Sequence, residues 1–257
     1  METSPQPSFR DKKVIIFDLD GTLTRSKADM TPETSVLLSR LLKQKRVAVI
    51  GGGRYELFKR QLIDQLNTDA LQLKNLFLFP TNSTAFYRFE NGGWRQVYTH
   101  SLTAGEKKKI FDAFEKTFQE ANYTHPNDIY GEIIEDRGSQ VAFSAHGQQA
   151  PLEVKEKWQK ERDVRGQLME ILRKHLPEFE VRQGGLTSID VTRRGINKSY
   201  GIQQIEKTLG VPIKDMVFVG DALFPGGNDY AAIKTGIDCL RVSGPQETNE
   251  FIESLMK

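Results

Sequence analysis

Two aspartates stand two residues apart in Asp18-Leu19-Asp20-Gly21-Thr22-Leu23-Thr24, directly behind the apolar run Val14-Ile15-Ile16-Phe17. The run is rich in β-branched and aromatic side chains and reads as a buried strand that Gly21 ends in a tight turn. The carboxylates then sit just past a strand's carboxyl end, where open α/β sheets place their ligands. On a strand Asp18 and Asp20 share a face, because side chains alternate with a period of two. Like charges held that close call for a proton or a cation between them. Mg²⁺, which prefers oxygen ligands and phosphate oxygens, suits the pair. An isolated motif of this length is also compatible with a plain polar turn.

Other segments carry compatible chemistry. Asp221 follows the apolar run Met216-Val217-Phe218-Val219 and lies at another strand's carboxyl end, as a third acidic partner for a metal. Gly51-Gly52-Gly53 follows Val47-Ala48-Val49-Ile50. Such a turn lets backbone N–H groups approach an anion closely, with Arg54 next in line to add charge. The competing reading is a flexible turn. Asn228 and Asp229 precede Tyr230-Ala231-Ala232-Ile233, where Asp229 would equally serve as a helix cap.

The elements that must position these residues alternate. A helix is expected from about Pro32 to Lys45, with Thr31 as its N-cap and Pro32 at its first position. Strand 47–50, a helix from about Tyr55 to Leu66 and strand 76–80 follow, a β-α-β-α-β order that implies a parallel sheet covered by helices. The pattern then changes to hairpins, 84–89 with 94–98 and 132–136 with 140–145, around a helix from about Ala104 to Asn122. A long charged helical stretch (151–175) and strands at 179–182 and 188–191 complete this part. The expected fold is α/β, a Rossmann-like parallel sheet core interrupted by an inserted α+β cap. The expected boundaries are a loose tail at 1–11, a core at 12–80 and 186–257, and a cap at 81–185. The run Lys155 to Asp163 reads as a solvated helix face of mixed sign.

The chain's 257 residues can bury a full core, and 38% hydrophobic with 27% charged residues is ordinary for a globular protein. A net charge of +2 argues against nucleic acid and anionic membrane partners. No apolar run approaches the ~20 residues of a membrane span, and the first ten residues show no signal peptide. A single cysteine, Cys239, excludes an intramolecular disulfide and makes a cytoplasmic setting the expectation.

The motif Asp18 to Thr24 behind its strand resembles the first signature of the haloacid dehalogenase-like phosphotransferases. Gly51 to Arg54 resembles the second, Lys198 in Gly195-Ile196-Asn197-Lys198-Ser199 the third, and Gly220-Asp221 with Asn228-Asp229 the fourth. Four motifs in the family's order identify the chain as a member of that superfamily. The resemblance implies that Asp18 is the nucleophile and forms an aspartyl-phosphate, with Asp20 as general acid and base. It further implies that Lys198 neutralises charge, and that Asp18, Asp221 and the backbone carbonyl of Asp20 hold Mg²⁺. Asn228 and Asp229 are expected to hold the loop and contact the phosphoryl group. The family usually has a serine or threonine in the second motif, and this chain has none before Tyr55.

The extra Pro225-Gly226-Gly227 before Asn228, together with Gly184 to Val191, is similar to the eukaryotic-type phosphomannomutases. That likeness implies a large cap, with Ser188 and Asp190 contacting a sugar. Mutases of this type grip a distal phosphate with several arginines. Here Arg137 matches one, Gln148 stands where another is expected, and Lys27 takes the place of a core arginine. Lysine loses the bidentate fork and glutamine loses the charge as well. The expectation is therefore a Mg²⁺-dependent phosphatase acting on a small phosphorylated molecule, a sugar phosphate, as monomer or homodimer. A phosphomannomutase interconverting hexose 1- and 6-phosphates is the alternative. A non-catalytic binding protein on the fold comes third.

Overall fold

The computed structural model of the chain describes residues 9–256. Its elements begin with strands β1 (Val14–Asp18), β2 (Arg46–Ile50) and β3 (Leu76–Phe79), which continue into the hairpin β4 (Ala85–Glu90) and β5 (Gly93–Thr99). Then come β6 (Ile134–Asp136), β7 (Val141–Ser144), β8 (Phe179–Gln183), β9 (Ser188–Arg193), β10 (Met216–Gly220) and β11 (Asp238–Arg241). One sheet has the order β11-β10-β1-β2-β3-β4-β5, parallel from β11 to β3 and antiparallel through the hairpin. A second, antiparallel sheet has the order β6-β7-β9-β8. The chain leaves β1 for β2 on one side and reaches β10 on the other. The carboxyl end of β1 is therefore the switch point of the sheet, the position at which such folds bind ligands.

β1 is buried along its whole length, and its period of two divides its side chains between two cores. Ile15 and Phe17 join Leu38, Phe58 and Ile252 on one face, while Val14 and Ile16 join Phe79, Ile202 and Phe218 on the other. The four-stranded sheet has its own core, in which helices Ala104–Glu120 and Arg165–His175 cover Phe143, Ile189 and Val191.

The sheets divide the chain at points other than those expected. Hairpin β4–β5, expected to open the cap, extends the larger sheet through β3, with Phe79 stacked on Phe86 at 4.5 Å. Ser188–Arg193, placed in the core by the expected boundary, is β9, one of the two inner strands of the smaller sheet. A hairpin pattern specifies pairing within the hairpin and says nothing of which sheet its outer edge joins. Of the expected tail, residues 1–8 lie outside the described residues, whereas Phe9 is buried against Phe251 at 5.9 Å.

Thr31 caps the first helix as expected, accepting from the Thr34 N–H at 3.2 Å, but the helix ends at Leu41. The long charged helix is two helices, Leu152–Arg162 and Arg165–His175. Asp163 interrupts it by accepting from the Arg165 N–H and guanidinium, a side-chain bond that competes with helix continuation. Nor is the run from Lys155 wholly solvated: Lys155 and Trp158 are each 4% exposed.

Candidate active site

Asp18 closes β1 at 2% exposure, and the Lys198 ammonium, from the start of helix Lys198–Leu209, donates to its Oδ1 at 2.5 Å. The same ammonium also binds Oδ1 of Asp229. Asp229 does not cap the helix after it; its second oxygen, Oδ2, accepts from the Ala222 N–H at 2.9 Å. Carboxylate oxygens of Asp18, Asp221 and Asp229 lie within 4.8 Å of one another. Gly21 makes that approach feasible. Its φ is +90°, and a Cβ there would fall 2.6 Å from Asp221 Oδ2.

The cluster carries three carboxylates against one lysine. Burial raises the Asp18 pKa well above the usual range, with Asp229 and Asp221 adding to the effect and Lys198 opposing it. Burial and Asp229 push Asp221 up to about 6. Burial would lower Lys198, but Asp18 and Asp229 hold it above the usual ammonium range. Two buried oxygens, Asp18 Oδ2 and Asp221 Oδ1, have no hydrogen-bond partner among the described residues. Those orphaned oxygens in an all-oxygen, electron-rich pocket fit a divalent cation. Asp229 has both oxygens engaged, by Lys198 and the Ala222 N–H.

Asp20 lines the same cleft as Asp18. Its Oδ1 accepts from the Lys27 N–H at 2.5 Å and from Gln61 Nε2 at 3.1 Å. Gln61 is fully buried and also holds the Ala28 carbonyl at 2.8 Å, so the acid is fixed from two sides.

A small cleft of about 40 Å³ joins Asp18 and Asp20 to Lys27, Arg137, Ser188 and Asp190. Of the glycine turn, Gly51 gives its N–H to the Phe79 carbonyl at 3.2 Å, while the N–H groups of Gly52 and Gly53 have no acceptor among the described residues. Arg54 does not reach this cleft. Its side chain is half exposed in an outer cavity of about 500 Å³ and pairs with Glu135 at 3.3 Å. Asn228 lines the cleft, and its buried Oδ1 also lacks a partner.

The smaller sheet closes over the glycine turn. Arg137 and Gln140 donate to the Gly52 carbonyl at 2.7 and 3.1 Å. Gln148 links the two sides, since its Oε1 accepts from Lys27 at 3.1 Å and Arg137 at 2.9 Å, and its carbonyl accepts from Lys27 at 2.8 Å. Asn82 bridges Gln140 and Asp190 at 2.9 and 3.0 Å. Burial raises the Asp190 pKa against Arg137 and the Asn82 hydrogen bond. Asn82, Gln61 and Gln140 were not singled out from sequence; only Asn82 carried a signal, as a polar residue just past the carboxyl end of β3.

An aspartate at the switch point, a lysine across from it and a paired acidic loop define an enzyme of the haloacid dehalogenase-like phosphohydrolase and phosphomutase class. Structures of the same fold include an IMP-nucleotidase from Plasmodium falciparum (TM-score 0.71, 19% identity, 96% of this chain and 67% of that one). Another is the C-terminal domain of a C. albicans trehalose-6-phosphate phosphatase (TM-score 0.62, 15% identity, 96% and 94%). The sequence model described as eukaryotic phosphomannomutase matches residues 34–257, and the chain belongs to that family. A probable phosphomannomutase of Caenorhabditis elegans is 27% identical over 99% of this chain and 98% of its own length. A phosphomannomutase of Schizosaccharomyces pombe is 29% identical over 85% and 84%. Among the described residues, no helix is long and apolar enough to cross a membrane.

Proposed function

We propose that the chain is a Mg²⁺-dependent phosphomutase that interconverts hexose 1- and 6-phosphates through an aspartyl-phosphate on Asp18. The reading that sequence placed second thereby becomes the first. One observation carries it: a single cleft is lined by the aspartate pair and by two half-buried cations, Lys27 and Arg137, which meet the neutral Gln148 between them. Family membership and relatives named phosphomannomutase support the same reading.

In this reading an oxygen of Asp18 attacks phosphorus as the bond to the sugar oxygen breaks, and Asp20 protonates that leaving oxygen. In the second half Asp20 takes the proton of the acceptor hydroxyl as it attacks the phosphoryl group and frees Asp18. Lys198 keeps Asp18 oriented and offsets charge. The Gly52 and Gly53 N–H groups would receive phosphoryl oxygens, and Ser188 and Asp190 sugar hydroxyls. A magnesium ion held by Asp18, Asp221 and the Asp20 carbonyl would neutralise charge developing on the phosphoryl group. The layer at 104–193 would act as the cap. A hexose phosphate cannot enter a cleft of about 40 Å³, so turnover requires the cap to open.

Hydrolysis is the second reading, favoured by the neutral Gln148 between Lys27 and Arg137. Phosphorus NMR separates the two, with Mg²⁺, mannose 1-phosphate or glucose 1-phosphate, and a trace of the matching bisphosphate. The mutase yields the 6-phosphate; inorganic phosphate without the 6-phosphate would establish a phosphatase.

A further inference from the structure

Pro80 stops β3, and Thr81, Asn82 and Ser83 after it take left-handed backbone, with φ of +49°, +54° and +74°. Residues with a Cβ disfavour that region; asparagine tolerates it well and β-branched threonine badly. Such a turn persists only where its surroundings hold it. All three residues are buried. The Thr81 N–H donates to the Gly53 carbonyl and the Asn82 N–H to the Gly51 carbonyl, each at 2.8 Å. On the other side, the hydroxyls of Thr81 and Thr84 lie 3.3 and 2.7 Å from Ser139 Oγ. The turn thus fastens the glycine loop to the smaller layer.

Asn82 is the member of the turn whose side chain reaches the wall of the cleft. Its Nδ2 donates twice, to Gln140 Oε1 at 2.9 Å and to Asp190 Oδ2 at 3.0 Å. Chemistry dictates this orientation of the amide. Gln140 Nε2 is committed to the Gly52 carbonyl, so its oxygen needs a donor, and the Asp190 carboxylate only accepts. Asp190 is 5% exposed and lines the cleft, and with Oδ2 engaged its Oδ1 has no hydrogen-bond partner among the described residues. Arg137 Nη1 stands 4.0 Å from that oxygen. Burial raises the Asp190 pKa, opposed by Arg137, the Asn82 hydrogen bond, Lys27 and the cross-strand neighbour Arg182. An acceptor this buried is costly to leave unpaired, and a ligand hydroxyl would satisfy it.

We propose that Asn82 is a positioning residue: by holding Oδ2 of Asp190 it presents Oδ1 to a hydroxyl group of the bound sugar phosphate. This rests on the reading of the cleft as a sugar-phosphate site, and it adds a residue that touches no reacting atom. Asn82 follows a strand of the larger sheet and Asp190 belongs to the smaller, so the carboxylate is set only when the two layers meet. A side chain that merely filled space there would affect phosphate and sugar phosphate alike. It would also act independently of Asp190.

The test is a double-mutant cycle read by calorimetric titration of the full chain with Mg²⁺, on an Asp20→Asn background that slows turnover. Glucose 1-phosphate and inorganic phosphate are the two probes. Asn82→Gly keeps the left-handed turn and removes the amide. It should weaken glucose 1-phosphate about tenfold or more, while inorganic phosphate shifts by less than about threefold. With Asp190→Asn already in place, the same change should cost glucose 1-phosphate less than about twofold, because the group it positions is gone. Equal losses for both probes, an unchanged glucose 1-phosphate affinity, or a full further loss beside Asp190→Asn would each overturn the proposal. Should Asn82→Gly melt early, Asn82→Asp decides at alkaline pH, where it sets a second charge against Asp190. Sugar-phosphate affinity equal to the parent's at that pH would overturn the assignment. A parent that binds inorganic phosphate but no sugar phosphate would overturn both the reading of the cleft and the role of Asn82. Phosphorus NMR of the wild type is read independently: the expected loss at Asn82 without transfer to the 6-position would remove the mutase reading and support Asn82.

Discussion

The two ends of the cleft are electrostatic opposites. At the β1 end, Asp18, Asp221 and Asp229 face one lysine, and the excess is negative. At the other end, Lys27 and Arg137 meet the neutral Gln148, Arg137 also pairs with Glu135, Lys155 has no polar partner among the described residues, and the excess is positive. The first end is short of a cation and the second of an anion, which suits a ligand that brings a metal-bound phosphoryl group to one and a further negative group to the other. In the negative end Asp18 and Asp221 stand at strand termini of the parallel sheet, whereas the positive end draws Lys27 from the loop after β1 and Arg137 and Lys155 from the smaller layer.

The comparison breaks most sharply at Asp18. Asp18→Asn should lower kcat by roughly 10⁴-fold or more, because the nucleophile itself is lost. A loss below tenfold would remove the covalent route. Asp20→Asn should cost about 10²–10⁴-fold in kcat, with the larger loss for substrates that have poor leaving groups. The negative end also predicts a cation response. A chelator should abolish activity, and Mg²⁺ at about 100 times its Kd should stabilise the wild type by about 2.7 kcal/mol in a thermal melt. Asp221→Asn should lose most of that response. If the response persists there, the metal lies elsewhere.

The positive end is tested by pH. The Lys27 pKa is lowered to about 8, so the group is charged below that value and loses its charge above it. Sugar-phosphate affinity should therefore fall as pH rises through about 8. In the ligand-free chain the same shift has the opposite sign. Between about pH 8 and the ordinary lysine value the unfolded chain binds the proton that the folded chain has released, so this group makes stability rise with pH. Lys27→Met should flatten the affinity profile, with the loss falling on KM. The smallest effect is expected at Gly52→Ala, whose Cβ would sit 2.9 Å from Asp190 Oδ2. It should raise KM a few-fold by moving the sugar-binding carboxylate.

The negative end was legible because Asp18 and Asp221 stand at the ends of apolar strands. Asp18 ends β1, Asp221 follows β10, and Lys198 opens a helix within a recognisable motif. The positive end was legible only in part. Lys27 and Arg137 were found by resemblance, but Lys155 sits in a run of mixed charges whose pattern is that of a solvated face. Nothing local in Lys155-Glu156-Lys157 marks the first lysine as buried; the layer folded over it does. Gln61 reaches Asp20 across 41 positions and Asn82 reaches Asp190 across 108, separations over which no spacing rule operates. The same limit explains the hairpin β4–β5 and strand β9, whose local patterns were read correctly while their sheet membership was not.

Lys27 joins the two ends within one residue. Its backbone N–H grips Asp20, its ammonium reaches Gln148 across the cleft, and its left-handed φ of +55° lets it do both. The two duties fall on separable parts of the residue. Side-chain replacement alters what is grasped at the far end, whereas almost any amino acid that tolerates the backbone still offers the same amide to the acid. A lineage can thus exchange arginine, lysine or an uncharged residue at this position and retune its choice of substrate while the proton donor keeps its aim. Selectivity is free to drift where catalysis is not.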